Sequence, residues 1–272
     1  MRVLLTNDDG IQADGLQALR RELLKIPEVE LAVIAPDGNR SAMARSITTR
    51  RPLWVERVEF GDGTHGYATD GTPVDCVRLA ALGLIDGFKA DVIVSGINHG
   101  VNLGDDITYS GTVAAALEGV LLGLPGVAVS QQGDHGALDF REGRQFDFTA
   151  AAEFAARVVA ELDDVPLRDG TLLNVNVPCG EPSGVEICTL GKRIYRDELK
   201  LETSEGDHRH QYWVYGDSPA HEDVEGTDLA AVIAGRIAVT PLHFDLTDTE
   251  GMDALALHDL SRLLAPAADT VE

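Results

Sequence analysis

Short apolar runs that alternate with helical patterns are the feature that most constrains this chain. The runs are Val3–Thr6, Leu31–Ala35, Asp91–Ser95, Val127–Ser130 and Leu172–Val177. Apolar residues at helical spacing lie between them, over Gly15–Lys25, Val74–Leu82, Thr112–Leu122 and Phe148–Leu162. Because these strands lack an alternation of polar residues, both of their faces should be buried. The pattern predicts an α/β fold with a mostly parallel sheet covered by helices on both sides.

The sequence changes character after about residue 185. Antiparallel strands are predicted over Val185–Leu190 and Gln211–Tyr215. The polar stretch between them contains Glu202–His210 and is predicted to form an extended arm or hairpin. A helix over Thr227–Ala234 and a strand over Ile237–Thr240 then return the chain to the core. We therefore predict an α/β core over residues 1–185 and an arm region over residues 186–272. Within the arm region, residues 265–272 are predicted to be frayed.

Composition narrows the class of protein. The net charge is −23, from 22 basic and 45 acidic residues, which disfavours duplex nucleic acid as a partner. The chain has no apolar run long enough for a membrane helix and enters a strand directly after Met1, so no membrane association and a cytoplasmic location are expected. Three cysteines, Cys76, Cys179 and Cys188, are predicted to be buried thiols.

The acidic surface predicts a response to salt. The chain has four lysines to offset its carboxylates. The Debye length falls from about 30 Å at 0.01 M salt to about 3 Å at 1 M, so repulsion between surface carboxylates largely vanishes in high salt. We expect the melting temperature and the activity to rise between about 0.05 M and 2 M KCl. A melting temperature that stays flat or falls would mean that the acidity serves solubility and not a saline host.

Polar side chains follow three of the predicted strands. In open parallel sheets, ligands bind in the crevice at the carboxyl ends of the strands. The three groups are Asn7, Asp8 and Asp9; Asn39, Arg40 and Ser41; and Asn98, His99, Asn102, Asp105 and Asp106. Turns alone explain one such group well, but three at one edge indicate a site. Oxygen ligands of this kind suit a hard divalent cation such as Mg²⁺, Mn²⁺ or Ca²⁺, which would also relieve the repulsion between Asp8 and Asp9.

A second element of the predicted site is the segment Ser110-Gly111-Thr112, which directly precedes an alanine-rich helix. Backbone N–H groups and the dipole at a helix start attract anions, and glycine allows close approach. A serine or threonine before a helix is most often only a cap. Beside a metal site, the same segment becomes a candidate phosphate cradle.

Together these residues carry a resemblance to a known family. The motifs are "LLTNDDG", "APDGNRS", "DGTPVDCV", "VSGINHGVNLGDDITYSGTVAAALEG" and "GTDLAAVIAGRIAVTPL". In this order they resemble the SurE family of survival-protein 5′/3′-nucleotidases. The resemblance implies a Rossmann-like core and a C-terminal antiparallel arm that exchanges between subunits of a homodimer or homotetramer. It also implies a metal-dependent phosphomonoesterase that hydrolyses nucleoside monophosphates to nucleoside and phosphate.

The resemblance assigns roles to particular residues. It implies that one divalent cation per subunit, Mg²⁺ or Mn²⁺, is held by Asp8, Asp9, Ser41 and Asn98, all of which match the family in type. Asp8, Asp9 and Asn98 are accordingly the predicted catalytic residues. The chain departs from the family's usual pattern in the second loop, where Gly38 replaces arginine and Ala42 replaces glycine.

Other polar residues have two readings. Candidate phosphate or substrate contacts are Asn7, Arg40, Ser110, Gly111 and Thr112. Asn7 could instead serve only in a turn, and Arg40 could instead form a surface ion pair. His99 could assist proton transfer but is more often a packing residue.

The sequence also leaves rival functions open. Asp8 could act as an aspartyl nucleophile, although the DxD spacing of haloacid-dehalogenase-type phosphatases is absent. The protein could instead be a non-catalytic nucleotide-binding regulator, against which the complete set of candidate ligands argues.

Overall fold

The computed structural model describes residues 1–138, 144–195, 198–206, 208–214 and 220–264. Its α-helices are α1 (Asp14–Leu23), α2 (Pro73–Ala81), α3 (Gly111–Leu121), α4 (Thr149–Ala160), α5 (Asp228–Ile233) and α6 (Thr249–Ala256). Its strands are β1 (Arg2–Thr6), β2 (Glu30–Pro36), β3 (Val55–Glu59), β4 (His65–Thr69), β5 (Val92–His99), β6 (Gly126–Gln131), β7 (Thr171–Val177), β8 (Val185–Ile187), β9 (Arg193–Ile194), β10 (Lys200–Glu205), β11 (Arg209–Trp213), β12 (Ala220–His221) and β13 (Ile237–His243).

A nine-stranded sheet forms the centre of the molecule, in the order β3-β4-β2-β1-β5-β6-β7-β13-β8. The neighbouring strands β4, β2, β1, β5, β6 and β7 all pair in parallel. Antiparallel pairs occur toward the edges, between β3 and β4 and between β7 and β13. The prediction of an α/β fold with a mostly parallel sheet flanked by helices is confirmed.

Both faces of the sheet are buried, which explains the uninterrupted apolar strands. On β1, Val3 and Leu5 face one core cluster, which includes apolar residues of α1 and α4. Leu4 faces the opposite cluster, with residues of α2 and α3. Because successive side chains of a strand point to opposite faces, a strand between two helical layers needs apolar residues throughout.

Local signals fix the starts of helices α2 and α3. Thr72 and Asp75 form a reciprocal capping box at the start of α2, with Pro73 in the first turn. The hydroxyl of Ser110 accepts a hydrogen bond from the Val113 N–H and caps α3. These caps place the two helix starts at the carboxyl edge of the sheet.

The C-terminal part holds the predicted hairpin, but its partners differ from those expected. Strand β10 pairs antiparallel with β11, which includes Gln211. Val185–Ile187 instead pairs in parallel with β13 at the edge of the central sheet, so the prediction of an antiparallel strand there is wrong. The reason is that β13 pairs with β7 on one side and offers its other edge to β8. Tyr215 and residues 265–272 lie outside the described residues, and the division at residue 185 stays a prediction.

Two smaller expectations can also be compared with the structure. Cys76 and Cys188 are buried thiols, as predicted, but Cys179 is exposed because it follows the end of β7. Among the residues that the structure describes, no helix is long and apolar enough to cross a membrane.

Candidate active site

The two adjacent aspartates lie where β1 ends, between its neighbours in the sheet. Asp8 is 3% exposed, and its Oδ1 accepts a hydrogen bond of 2.6 Å from the Thr112 hydroxyl. Burial, followed by repulsion from Asp9, raises the pKa of Asp8 from its ordinary 3.8 to about 6. Asp9 Oδ2 accepts a hydrogen bond of 3.1 Å from the His99 backbone N–H. The pair therefore joins three segments of the chain.

Gly111 brings helix α3 against Asp8. A Cβ atom at this position would lie 2.7 Å from Asp8 Oδ2 and 2.8 Å from Asp8 Cβ, closer than side chains tolerate. Only glycine therefore allows the N-terminus of α3 to approach the carboxylate this closely. The positive end of the helix dipole then lies beside the acidic pair and any anion bound there.

The second loop is tied to the pair through Asn39. Its side-chain amide donates to Asp9 Oδ1 at 3.4 Å, and its Oδ1 accepts from the Ser41 backbone N–H at 2.8 Å. The Arg40 backbone N–H donates to the Asp8 carbonyl at 2.6 Å. Ser41 is exposed and is linked to Asp9 through Asn39. The sequence marked Asn39 only as part of a polar group; its bridging role needed the structure.

The third loop begins at an irregularity in β5. The pairing of β5 with β6 shifts register between Ser95 and Asn98. Gly96 lies in this irregularity at φ 135°, and a Cβ there would lie 2.3 Å from the Val129 carbonyl oxygen. Asn98 is buried, and its side-chain amide donates to the Gly100 carbonyl at 2.8 Å. With the amide nitrogen held in this way, the side-chain oxygen of Asn98 is the atom that could bind a cation.

A buried amide network supports the third loop from below. The Asn102 backbone N–H donates to Asn176 Oδ1 at 2.7 Å, and the Asn102 side chain donates to the Ser130 hydroxyl at 2.8 Å. The side-chain amides of Asn174 and Asn176 both donate to the Asn102 carbonyl. These hydrogen bonds tie the backbone of the loop to β6 and β7.

His99 lies between Asp9 and two aromatic rings. Its Nδ1 is 2.8 Å from Asp9 Oδ2, and its ring packs edge-on against Phe146 and Phe148 at centroid distances of 5.2 and 5.0 Å. Burial opposes protonation of this histidine, but the hydrogen bond and the charge of Asp9 outweigh burial and raise its pKa. His99 thus both packs and holds Asp9.

The remaining predicted residues have local partners. The Asn7 side chain closes a turn with Gly10, through bonds of 3.0 and 3.2 Å. The Arg40 guanidinium pairs with Asp37 at 2.6 Å. Ser110 caps α3, as described above. Their assignment to phosphate or substrate stays a prediction.

The chemistry of these donors fits a hard cation. Among residues 1–138 and the other described segments, no group of three or more His, Cys, Asp or Glu side chains could hold a metal ion. A metal ion here would therefore rely on neutral oxygens from Ser41 and Asn98 beside the two carboxylates. Burial and the neighbouring Asp9 both disfavour the charged form of Asp8, and a cation bound between the two carboxylates would relieve both effects.

Comparison with known proteins decides the family. Residues 3–197 match the family described as survival protein SurE. The chain belongs to the SurE family. A curated relative from Rubrobacter xylanophilus, named 5'-nucleotidase SurE, is 51% identical over 97% of this chain and 99% of that protein. A relative of the same name from Geobacter sulfurreducens is 43% identical over 96% of this chain and 95% of that protein.

A solved SurE structure agrees with the fold. The SurE protein from Aquifex aeolicus is 34% identical, covers 95% of this chain and 100% of that one, and superposes with a TM-score of 0.75. The resemblance drawn from the sequence motifs is therefore confirmed.

The departure from the SurE pattern at Ala42 has a structural consequence. Ala42 has φ 59°, in the left-handed region that glycine adopts freely. A non-glycine residue pays roughly 1–2 kcal/mol for this conformation. Ala42 and Ala44, at φ 50°, therefore require a loop that is held firmly by its surroundings.

Proposed function

We propose that this chain is a metal-dependent 5′-nucleotidase that hydrolyses nucleoside monophosphates. The observation that carries the proposal is the acidic pair Asp8–Asp9 at the end of β1, directly beside the N-terminus of α3. Such a place favours a cation and an anion side by side, as a phosphomonoester with a divalent metal would provide. The names of the two relatives given above point to the same activity.

We assign the cation to Asp8, Asp9, Ser41 and Asn98. When bound, Mg²⁺ or Mn²⁺ would polarise the phosphoryl group and stabilise the charge that develops on its oxygens. The two carboxylates supply the charge and the neutral ligands supply further oxygens. Thr112 holds Asp8 in place by a hydrogen bond, and His99 does the same for Asp9.

The remaining phosphate oxygens belong, in this proposal, to the start of α3. The Ser110 side chain already caps the Val113 N–H, and the Thr112 N–H bonds to the Asp8 carboxylate, so we assign the Gly111 N–H as the donor to phosphate at this helix start. Donors fixed by a helix need no rearrangement during the reaction, which is the condition for strong electrostatic stabilisation.

The proposal is tested by phosphate release. Purified protein is freed of metal and then incubated with nucleoside 5′- and 3′-monophosphates, with and without Mg²⁺ or Mn²⁺. We expect inorganic phosphate to appear only with metal, and to disappear again with excess chelator. If metal gives no phosphate release from any monophosphate while the nucleotide still binds, the protein is a nucleotide-binding regulator and the proposal is wrong.

The neutral ligands should be less critical than the carboxylates. Ser41→Ala and Asn98→Ala remove one oxygen but no charge, so we expect a weaker affinity for Mn²⁺ and an activity that raised Mn²⁺ partly restores. The measurement is activity against Mn²⁺ concentration in each variant. If Asn98→Ala matches the unmodified protein at limiting metal, the end of β5 does not ligate the ion.

The hairpin of β10 and β11 is proposed to mediate self-association, as a homodimer or homotetramer. All residues of both strands are exposed, including Leu201, Tyr212 and Trp213. A two-stranded hairpin has little stability by itself and needs another surface to pack against. We expect light scattering at micromolar concentration to give at least a dimeric mass; a monomer in high salt would contradict this.

A further inference from the structure

A buried carboxylate on α3 has no part in the proposed chemistry. Glu118 is fully buried and faces two arginines from different segments. Arg45 Nη2 donates to Glu118 Oε2 at 3.1 Å. Arg78 Nη2, from α2, lies 2.6 Å from Oε1, in an ion-pair contact. Because a buried carboxylate is costly without partners, these two arginines compensate the burial of Glu118.

Arg45 belongs to the same short loop as Ser41, and that loop needs holding. Two of its residues, Ala42 and Ala44, have left-handed backbone angles without being glycine. Strained residues of this kind persist only where surrounding contacts over-determine them. Contacts on the far side of the loop include the Ala44 N–H to the Tyr109 carbonyl at 3.1 Å and the Arg45 pair with Glu118. The Arg45 guanidinium also lies over the Phe244 ring, 5.0 Å from its centroid.

Helix α3 connects both halves of the proposed metal site. Near its N-terminus, Thr112 donates to Asp8. Six residues further on, about 9 Å along the axis, Glu118 binds Arg45 of the Ser41 loop. One rigid element therefore fixes the position of a carboxylate ligand and the position of the loop that carries a neutral ligand.

We propose that Glu118 is a positioning residue which, through Arg45, holds the loop that carries Ser41 in place beside Asp8 and Asp9. This inference rests on the proposed metal site. Glu118 is not one of the proposed metal ligands and acts, in this proposal, only through Arg45. Its effect is on how well the loop is arranged before the ion arrives, so its loss should appear in metal affinity.

The two arginines provide a matched pair of variants. Arg45→Met removes the link to the loop and Arg78→Met removes the link to α2, and each leaves Glu118 with one arginine, so both variants should fold. The readout is the Kd for Mn²⁺ of the metal-free protein, measured from the electron paramagnetic resonance signal of free Mn²⁺. We expect Arg45→Met to weaken binding about 10-fold, the size of effect typical for partners of metal ligands. Arg78→Met should change the Kd by less than about 2-fold.

A third variant shows whether Arg45 acts through Ser41. In a Ser41→Ala background, Arg45→Met should weaken Mn²⁺ binding little further, since the ligand that it positions is already gone. Equal effects of Arg45→Met and Arg78→Met, or fully additive effects of Arg45→Met and Ser41→Ala, would overturn the inference while leaving the metal site intact. If the unmodified protein binds no Mn²⁺, the proposed site is wrong and the inference falls with it.

Discussion

Asp8→Asn and Asp9→Asn should each lower phosphatase activity by more than about 100-fold. Losing a residue that only supports a metal ligand costs about 10–100-fold, and losing a charged ligand itself should cost more. Each aspartate contributes one negative charge to the proposed cation, and an amide of the same shape contributes none. Raising Mn²⁺ should not restore the activity, in contrast to the expectation for Ser41→Ala and Asn98→Ala. Near-normal turnover of either variant in the presence of metal would remove the aspartates from the metal site.

The same substitutions should leave the fold intact, which separates the loss of chemistry from a loss of structure. The pKa of Asp8 is raised to about 6 by burial and by Asp9. An acid whose pKa is raised on folding opposes folding when it is ionised; the penalty is fully present above about pH 6 and is gone below about pH 4. At pH 7.5 without metal, Asp8→Asn should therefore melt at or above the temperature of the unmodified protein. A large fall in melting temperature would mean that the carboxylate itself holds the loops together.

Sequence patterns predicted the parts of the site that depend on a simple geometric rule. Parallel strands end at one edge, so residues that follow β1, β2 and β5 had to lie close together. That rule predicted that Asp8, Asp9 and Asn98 lie at one edge of the sheet; their role as ligands stays a prediction. Glu118 was not predicted, because it reads as one more residue of an amphipathic helix until Arg45 and Arg78 arrive from distant segments.

The fold was predictable in its buried centre and less so at its edges. Strands buried on both faces carry uninterrupted apolar runs, whereas β3 has three exposed charged residues and only two half-buried valines and was not predicted. The predicted antiparallel pairing of Val185–Ile187 was also wrong. A short edge strand carries no sequence signal that shows whether it pairs with β13 or with a strand of the arm. Edge pairings depend on contacts far apart in the chain.

Asp106 shows how a polar residue near a site can have a different role. The sequence grouped it with the third strand end. In the structure its Oδ2 accepts a hydrogen bond of 2.7 Å from Arg193 Nε, and both side chains are at most 1% exposed. The Tyr195 hydroxyl donates to Oδ1 at 2.5 Å. Burial and the bond to Asp106 raise the pKa of Tyr195, so the tyrosine remains a donor across the neutral range.

This buried pair joins β9, which comes before the β10–β11 hairpin of the arm, to the turn before the proposed phosphate site. We call β9 the arm base. Arg193 is the first residue of β9. Asp106 lies in the 3-10 turn Gly104–Thr108, which leads to Ser110 at the start of α3. Displacing the arm base would therefore loosen the turn that leads into the helix. The pair is expected to affect both stability and activity.

Arg193→Met should lower the free energy of unfolding by about 3–5 kcal/mol, because it leaves the Asp106 carboxylate buried without its cation. Arg236→Met is the matched control. Arg236 also donates from Nε to a carboxylate, Glu186, at 2.7 Å, but these side chains are 43% and 28% exposed, so a loss of about 0–1 kcal/mol is expected. Denaturant unfolding of both variants at one protein concentration makes the comparison. Adding Asp106→Asn to Arg193→Met should recover part of the loss by removing the stranded charge. Equal losses of unfolding free energy in the two arginine variants would mean that the buried Arg193–Asp106 pair stabilises the protein no more than the exposed Arg236–Glu186 pair. The pair would then not couple β9 to the start of α3.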